Sequence, residues 1–302
     1  MLMKAVECYL AVRRAVGFKL KNQEHHLRSF ARFASEREET HIRTPSVIEW
    51  ASQSKMPRSR LENIIPFARY LQVEDERHEV PPPPSRVFGP PKSRRIPFIY
   101  SQDELNRFLQ AAMSLGPLDS LRPHTYATLF ALLAVSGLRI SEALNLRFDD
   151  VTTDGLLIHK TKFRKSRLVP LHETADAGLE RYLQRRKRTA ATCDRVFVSL
   201  LGRPLSRSAI AETFGKLLKT TGLDRGRGGR RPRIHDLRHS FAVRALETCP
   251  EGRDNVGRHM LALSTYMGHS EFRYTYWYLQ ATPHLMRDIA EACDAFLQGG
   301  TP

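Results

Sequence analysis

The chain has 302 residues, enough for one large domain or two smaller domains that each bury a core. Lys and Arg number 48 against 32 Asp and Glu, which gives a formal net charge of +16 with the positive residues interspersed along the chain. This distribution indicates a nucleic acid bound across a face of the protein.

The four cysteines are far apart and form no C-x-x-C pair, so neither a disulfide framework nor a cysteine zinc site is indicated. The longest apolar run, residues 127–135, is too short to span a bilayer. The sequence has no signal-peptide pattern. We therefore expect a soluble protein of the reducing cytoplasm.

Residues 1–80 are predicted to form a helical domain, because apolar residues recur there at helical spacing. Pro66 interrupts the last of these apolar stripes and is expected to kink or break its helix. Residues 81–95 follow as a predicted linker, since four consecutive prolines favour extended polyproline II and the segment ends in basic residues.

Residues 96–302 are predicted to form a second domain of helices with a small β-hairpin. Ser101 and Glu104 form a capping box, and the buried helix of residues 126–135 should end at Gly137. Alternation after Asp154-Gly155 predicts a hairpin with a basic turn at residues 160–165. Further helices are predicted from Thr174 and after Ser206, with a short strand at residues 196–198 between them.

Two segments of this domain are cationic enough to contact DNA. One is the hairpin turn, with Arg164 and Lys165, and the other is a glycine-rich loop with Arg227, Arg230 and Arg231. The loop is expected to become ordered when DNA binds. An ordinary solvated surface loop is the alternative.

A set of arginine, histidine and tyrosine residues suits the handling of a phosphodiester. His235 and Arg238 are three residues apart and share one face of a helix, and His269 precedes Tyr278 by nine residues. Arginine provides bidentate donors to phosphate oxygens, histidine moves protons near neutral pH, and a tyrosine hydroxyl can act as a nucleophile.

These residues resemble the active site of the tyrosine recombinases, the phage-integrase family. The family pattern is matched by Gly137-Leu138-Arg139-Ile140-Ser141-Glu142, Lys162, His235 with Arg238, Gly268-His269 and Tyr278, in that order. The resemblance implies a mostly α fold with a small sheet or hairpin. It also implies a two-domain DNA clamp, in which the N-terminal helical domain binds the core site and an α+β domain performs catalysis.

The resemblance also implies a role for each matched residue. Arg139 and Arg238 would clamp the scissile phosphate, Tyr278 would attack it, and His235 would take the tyrosine proton. Lys162 would protonate the leaving 5′ oxygen, with Lys165 as the alternative lysine, and His269 would hydrogen-bond the phosphate. Glu142 would orient a catalytic residue without acting as an acid, and His239 would be a packing or orienting residue.

The expected product is a 3′-phosphotyrosyl bond that keeps the energy of the broken bond, so neither a metal nor another cofactor is needed. The expected substrate is double-stranded DNA with a specific recombination site, cut and rejoined by a tetramer of this chain or by related recombinases acting with it. The sequence favours the integrase or transposase of a mobile element. A non-cutting DNA-binding protein of the same fold and a type IB topoisomerase are the alternatives.

Three further alternatives concern a metal site, the choice of nucleophile and the segment after Tyr278. His235 and His239 are spaced like two zinc ligands, but Arg238 on the same helix would repel a cation. Tyr274 and Tyr276 compete with Tyr278 as nucleophile, although the spacing from His269 favours Tyr278. The amphipathic segment of residues 285–297 either completes this chain's core or docks on a neighbouring copy.

Overall fold

The computed structural model describes residues 2–91, 95–159, 166–189, 193–226, 229–248, 253–269, 271, 274, 275 and 278. The chain divides into two compact units, Met1–Arg94 and Arg95–Pro302. Within the described residues, helices predominate and a small antiparallel sheet lies in the second unit. The predicted class, mostly α with a small sheet, is confirmed.

The first unit is built from helices that pack around one apolar core. The helices are α1 (Leu2–Ala15), α2 (Lys21–Ser35), α3 (Thr44–Ser52), α4 (Pro57–Glu74) and the short α5 (Pro84–Val87). Trp50 lies in this core with Phe30 and Phe67, and all three are almost fully buried. The apolar stripes of the sequence therefore correspond to the buried faces of these helices.

Helix α4 runs through Pro66 without a break, contrary to one of the two outcomes expected from the sequence. A proline inside a helix removes one backbone hydrogen bond and costs roughly 3 kcal/mol. Pro66 lies on the exposed side of α4, where water can hydrate the carbonyl that loses its partner. Ile64, Phe67 and Ala68 are fully buried on the other side, and their packing offsets the cost.

The proline-rich segment differs from the extended linker that its sequence suggests. Its last proline, Pro84, begins α5, where the missing N–H is not needed. Val87 and Phe88 pack against the core of the first unit, and Arg58 of α4 donates to the carbonyl of Gly89 at 2.6 Å. The chain passes from one unit to the other at Arg94 and Arg95.

The helices of the second unit pack around a larger apolar core. Its helices are α6 (Gln102–Met113), α7 (Leu121–Ser136), α8 (Ile140–Asn145), α9 (Glu173–Lys187), α10 (Arg207–Thr220), α11 (Ile234–Glu247) and α12 (Arg253–Met267). Phe108, Phe130 and Phe214 bring α6, α7 and α10 together through ring contacts with centroids 5.2–5.6 Å apart. This aromatic cluster fixes the position of α7, whose end leads into the candidate site.

Two sequence signals at helix ends of this unit are confirmed. Ser101 accepts from the Glu104 backbone N–H, and the Glu104 side chain accepts from the Ser101 backbone N–H. Gly137 ends α7 with φ of 59°, a left-handed conformation that favours glycine. A Cβ at Gly137 would lie 2.5 Å from the ring of Phe241 on α11, so the close packing there also requires glycine.

The sheet consists of β1 (Val151–Thr152), β2 (Gly155–Ile158) and β3 (Arg167–Val169), paired antiparallel in that order. The predicted hairpin is β2 with β3, and its turn, residues 160–165, lies outside the described residues. The sequence analysis did not predict β1. The strand predicted at residues 196–198 forms only an isolated bridge, between Val198 and Pro204.

None of the helices that the structure describes combines the length and apolar character needed to cross a membrane.

Candidate active site

The candidate site forms where the ends of α7, α11 and α12 meet in the second unit. Arg139 follows Gly137 at the start of α8, and Arg238 projects from the first turns of α11. Gly268, with φ of 64°, turns the chain after α12 and is followed by His269. Residues far apart in the sequence are therefore brought together by two glycine turns and one helix N-terminus.

Backbone carbonyls of these turns hold both arginine side chains. Arg238 donates to the carbonyl of Gly137 and, at 2.8 Å, to that of Met267. Arg139 donates to the carbonyl of Gly268 at 2.8 Å. Because consecutive carbonyls at the end of α12 receive one bond from each guanidinium, the two positive groups are fixed beside the same turn.

Arg238 is almost fully buried, with 2% of its surface exposed. Burial, and then the nearby charge of Arg139, lower the pKa of Arg238 to about 10, so it remains charged at neutral pH. An arginine buried near another arginine is unfavourable unless negative charge or hydrogen-bond acceptors compensate. The carbonyls supply part of this compensation, and the guanidinium N–H groups that bond none of the described residues suit an anion.

Glu142 supplies the negative charge beside Arg139. Its carboxylate accepts from the backbone N–H of Arg139 at 2.9 Å and from the Arg139 guanidinium at 2.8 Å. It also accepts two bonds from Arg167, at 3.1 and 2.9 Å. Burial raises the pKa of Glu142, but the bonds from Arg167 and Arg139 outweigh burial and bring it to about 2. Glu142 is therefore an anion that orients Arg139.

Arg167 is a residue of this network that the sequence analysis missed. It begins β3, pairs with Glu142, and donates from Nε to the carbonyl of Tyr266 at 2.8 Å. A Cβ on Gly268 would lie 2.9 Å from its guanidinium. Arg167 thus links the β2–β3 hairpin to α8 and to the turn that carries His269. In the sequence Arg167 is only the first residue of the returning strand of the hairpin, and its partner Glu142 is 25 positions away.

The predicted nucleophile, Tyr278, lies within this group and is 2% exposed. Its ring stacks on that of His269 with centroids 6.0 Å apart, and its hydroxyl lies 3.2 Å from Nδ1 of His239. Its charge would also interact with that of Arg238. His269 is oriented in turn by Thr275, whose hydroxyl is 2.8 Å from the His269 Nδ1.

The two histidines of α11 lie in different environments. His239 is buried, whereas part of His235 reaches solvent, and their rings are in edge contact at 4.6 Å. Partial loss of hydration, the charge of Arg238, and further positive charge from Arg233 and Arg139 lower the pKa of His235 to about 4. His235 is therefore neutral at pH 7.

The structure brings together Arg139, Glu142, His235, Arg238, His239, His269 and Tyr278 from the predicted set. Lys162, Arg164, Lys165 and Arg227 lie outside the described residues, as does the competing Tyr276 and the predicted helix of residues 285–297. Arg230 and Arg231 are exposed in the segment before α11.

A separate cluster in the first unit, His41, Asp75 and His78, has ligand-type atoms within 4.8 Å of one another. Each group already has a partner, since Asp75 pairs with Arg77 at 2.8 Å and with His41 at 3.1 Å. Nδ1 of His78 accepts the Ile42 backbone N–H at 3.0 Å, which places the proton of a neutral ring on Nε2. A cation would have to displace these bonds, so hydrogen bonding accounts for the cluster.

Comparison with known proteins identifies the family of this chain. Residues 99–284 match the family model described as "Phage integrase family". The protein y4rB of Sinorhizobium fredii (strain NBRC 101917 / NGR234), named as an integrase/recombinase, is 38% identical over 94% of this chain and 94% of its own. The chain belongs to the phage integrase family of tyrosine recombinases.

Two solved structures share the fold at lower identity. The XerH site-specific recombinase bound to palindromic difH substrate, in a post-cleavage complex, has a TM-score of 0.66 and 18% identity, covering 90% of this chain and 79% of that one. A lambda integrase tetramer bound to a Holliday junction has a TM-score of 0.64 and 17% identity, covering 92% and 76%.

Proposed function

We propose that the protein is a site-specific DNA recombinase that cleaves and rejoins strands through a covalent bond between Tyr278 and a 3′ phosphate. One observation carries the proposal. Two guanidiniums, Arg139 and Arg238, are held by the carbonyls of one turn, with the hydroxyl of Tyr278 within the field of Arg238. Such a site is complementary to a phosphodiester under attack.

A phosphodiester resists nucleophiles because its oxygens are negative and gain charge in the transition state. Arg139 and Arg238 would bind the two non-bridging oxygens through the donors that face the site. His235, which is neutral at pH 7, and His269 would add hydrogen bonds to the same oxygens. Lys162 would give a proton to the 5′ oxygen as it leaves.

Tyr278 would attack the phosphorus, so that the bond from phosphorus to the 5′ oxygen breaks as the phosphotyrosyl bond forms. A 5′ hydroxyl from another strand can then attack this bond and release the tyrosine. The exchange needs no external energy, since one phosphodiester-type bond replaces another.

The DNA partner follows from charge as well as from the site. The formal net charge is +16, and Arg230 and Arg231 are exposed in the segment that leads into α11. Phosphate contacts by such residues give affinity that falls steeply with salt. We propose that a tetramer joins two duplexes, in accord with the lambda integrase tetramer of similar fold. A role in moving a mobile element accords with the name of the similar protein y4rB.

The test begins by selecting the binding site from a random-sequence duplex pool with the Tyr278→Phe protein, which should bind without cutting. A nicked half-site of the selected sequence should then trap a covalent adduct with the unaltered protein. Tyr278→Phe should abolish the adduct, and the matched control Tyr274→Phe should retain it. An adduct that survives in Tyr278→Phe and is lost in Tyr276→Phe would identify a different nucleophile.

A further inference from the structure

The Tyr278 hydroxyl contacts the side chain of His239, a residue one position beyond the H-x-x-R pair of the family pattern. Its Nδ1 lies 3.2 Å from the hydroxyl oxygen, and the two rings are 5.3 Å apart. Building on the proposed function, we propose that His239, and not His235, accepts the proton of Tyr278 during strand cleavage. His239 then touches a reacting atom and is a catalytic residue.

The surroundings of His239 favour the tautomer that this role requires. Its Nε2 lies 4.0 Å from an oxygen of Asp236, which is 1% exposed. A carboxylate on that side favours a proton on Nε2 and leaves the lone pair of Nδ1 directed at the tyrosine hydroxyl. The carboxylate also stabilises the imidazolium that forms when His239 takes the proton. The three groups lie in the order carboxylate, imidazole and hydroxyl.

Asp236 is itself fixed by Arg233, the residue that precedes α11. The Arg233 backbone N–H donates to Asp236 at 2.8 Å and its guanidinium at 3.0 Å. Asp236 therefore caps the helix while it faces His239. Because these bonds fix the N-terminus of α11, they also fix the position of His239 on that helix.

His235 is the less suitable acceptor of the two. Burial, and then the charge of Arg238, oppose a positive charge on its ring and outweigh the opposite effect of Asp236, so that its pKa is about 4. The ring of His239 meets that of His235 in edge contact, and its Nε2 faces the Asp236 carboxylate. Among the described residues, the charged or titratable groups around His239 include Asp236 and His235 from its own helix and Tyr278 from across the site, with Arg233 paired to Asp236 and the charge of Arg238 acting on Tyr278.

The proton and electron balance is complete without another reactant. The hydroxyl proton of Tyr278 moves to Nδ1 of His239 as the oxygen bonds to phosphorus, and the 5′ oxygen leaves with a proton from Lys162. In rejoining, the imidazolium of His239 returns its proton to the departing tyrosine oxygen, and the attacking 5′ hydroxyl returns its proton to Lys162. Each cycle therefore restores Tyr278, His239 and Lys162.

The test compares His239→Asn with His235→Asn, and uses His172→Asn as the control for a histidine replaced at an exposed helix N-cap. The side-chain oxygen of asparagine can occupy the position of Nδ1, so it keeps a hydrogen-bond acceptor but removes the base. The rate of adduct formation on the nicked half-site is measured from pH 6 to pH 9.5, together with half-site affinity.

We expect His239→Asn to bind the half-site normally and to form the adduct about 100-fold or more slowly at pH 7. Its rate should rise about tenfold per pH unit, because cleavage then depends on the fraction of tyrosine that has lost its proton to solvent, and this fraction grows tenfold per unit below the pKa of an acid. His235→Asn should be slower without this steep dependence, and His172→Asn should match the unaltered protein. A substrate with sulfur as the 5′ leaving atom should rescue Lys162→Ala but not His239→Asn.

A steep pH dependence in His235→Asn together with an unaltered profile in His239→Asn would overturn the inference. If His239→Asn fails to fold, nitrogen NMR of the unaltered protein decides the question, because a proton on Nδ1 of His239 at pH 7 would equally overturn it. Absence of any adduct with the unaltered protein would refute the proposed function itself, which is a different result.

Discussion

Replacing Glu142 by Gln removes the single negative charge that is recorded between Arg139 and Arg167 in the described part of the site. Four hydrogen bonds from these two residues reach its carboxylate, and its side chain is 9% exposed. Glutamine keeps the size and one acceptor oxygen. It places an amide N–H₂ where a guanidinium needs an acceptor, and leaves two arginine charges facing each other.

The magnitude follows from the pKa of Glu142. A fall from the ordinary value of 4.5 to about 2 corresponds to about 3 kcal/mol of stability, since one pKa unit is about 1.4 kcal/mol. Breaking a buried ion pair by removing one partner costs roughly 3–5 kcal/mol, which agrees. For a unit of this size, 3 kcal/mol lowers the melting temperature by about 6–12 °C.

Calorimetry is the appropriate assay because the chain contains two units, and only the transition of the second should shift. Glu212→Gln is the matched control, since Glu212 pairs with Lys216 on the exposed face of α10 and should cause no measurable shift. The pKa of Glu142 is depressed, so the contribution of its charge to stability is complete above pH 4.5 and is lost as the pH falls through about 2. The difference in stability between Glu142→Gln and the unaltered protein should therefore shrink over that range. An equal shift in Glu212→Gln would refute this account of the network.

Three further outcomes are expected. Ser101→Ala should lower the stability of the second unit by about 1 kcal/mol in urea unfolding, because it removes the capping-box acceptor, whereas Ser101→Asp should retain it. Gly137→Ala should be more damaging, because φ is 59° and the new Cβ meets Phe241 at 2.5 Å; reduced half-site affinity should accompany the loss, since the Gly137 carbonyl holds Arg238. DNA cleavage should persist in excess EDTA, since arginine and lysine supply all the positive charge of the proposed mechanism, and activity restored only by added zinc or magnesium would contradict it.

Local signals in the sequence were sufficient for much of the second unit. The capping box at Ser101 and the glycine after α7 each depend on residues a few positions apart, so the pattern contains all the information. The continuation of α4 through Pro66 could not be found in this way. It depends on which side of the helix is buried, and hence on the packing of the whole unit.

The site was predictable to the extent that the family pattern carries it. The structure brings Arg139, Arg238, His269 and Tyr278 together, but the pattern describes spacing and not contact. The position of His239 against the tyrosine hydroxyl depends on how the segment after α12 returns to α11. Arg167 was missed for the same reason, since its role depends on contacts with α8 and with the end of α12.

The contacts of the two site arginines also imply that the phosphate clamp and the nucleophile move together. Arg139 and Arg238 are held near each other although their charges repel, and the carbonyls of Met267 and Gly268 are part of what holds them. The residue after these carbonyls is His269, on which Tyr278 stacks. A displacement of the end of α12 would therefore loosen both guanidiniums and shift the tyrosine at once. A phosphodiester bound between the arginines would relieve their repulsion, and so would favour the arrangement in which the tyrosine is also in place.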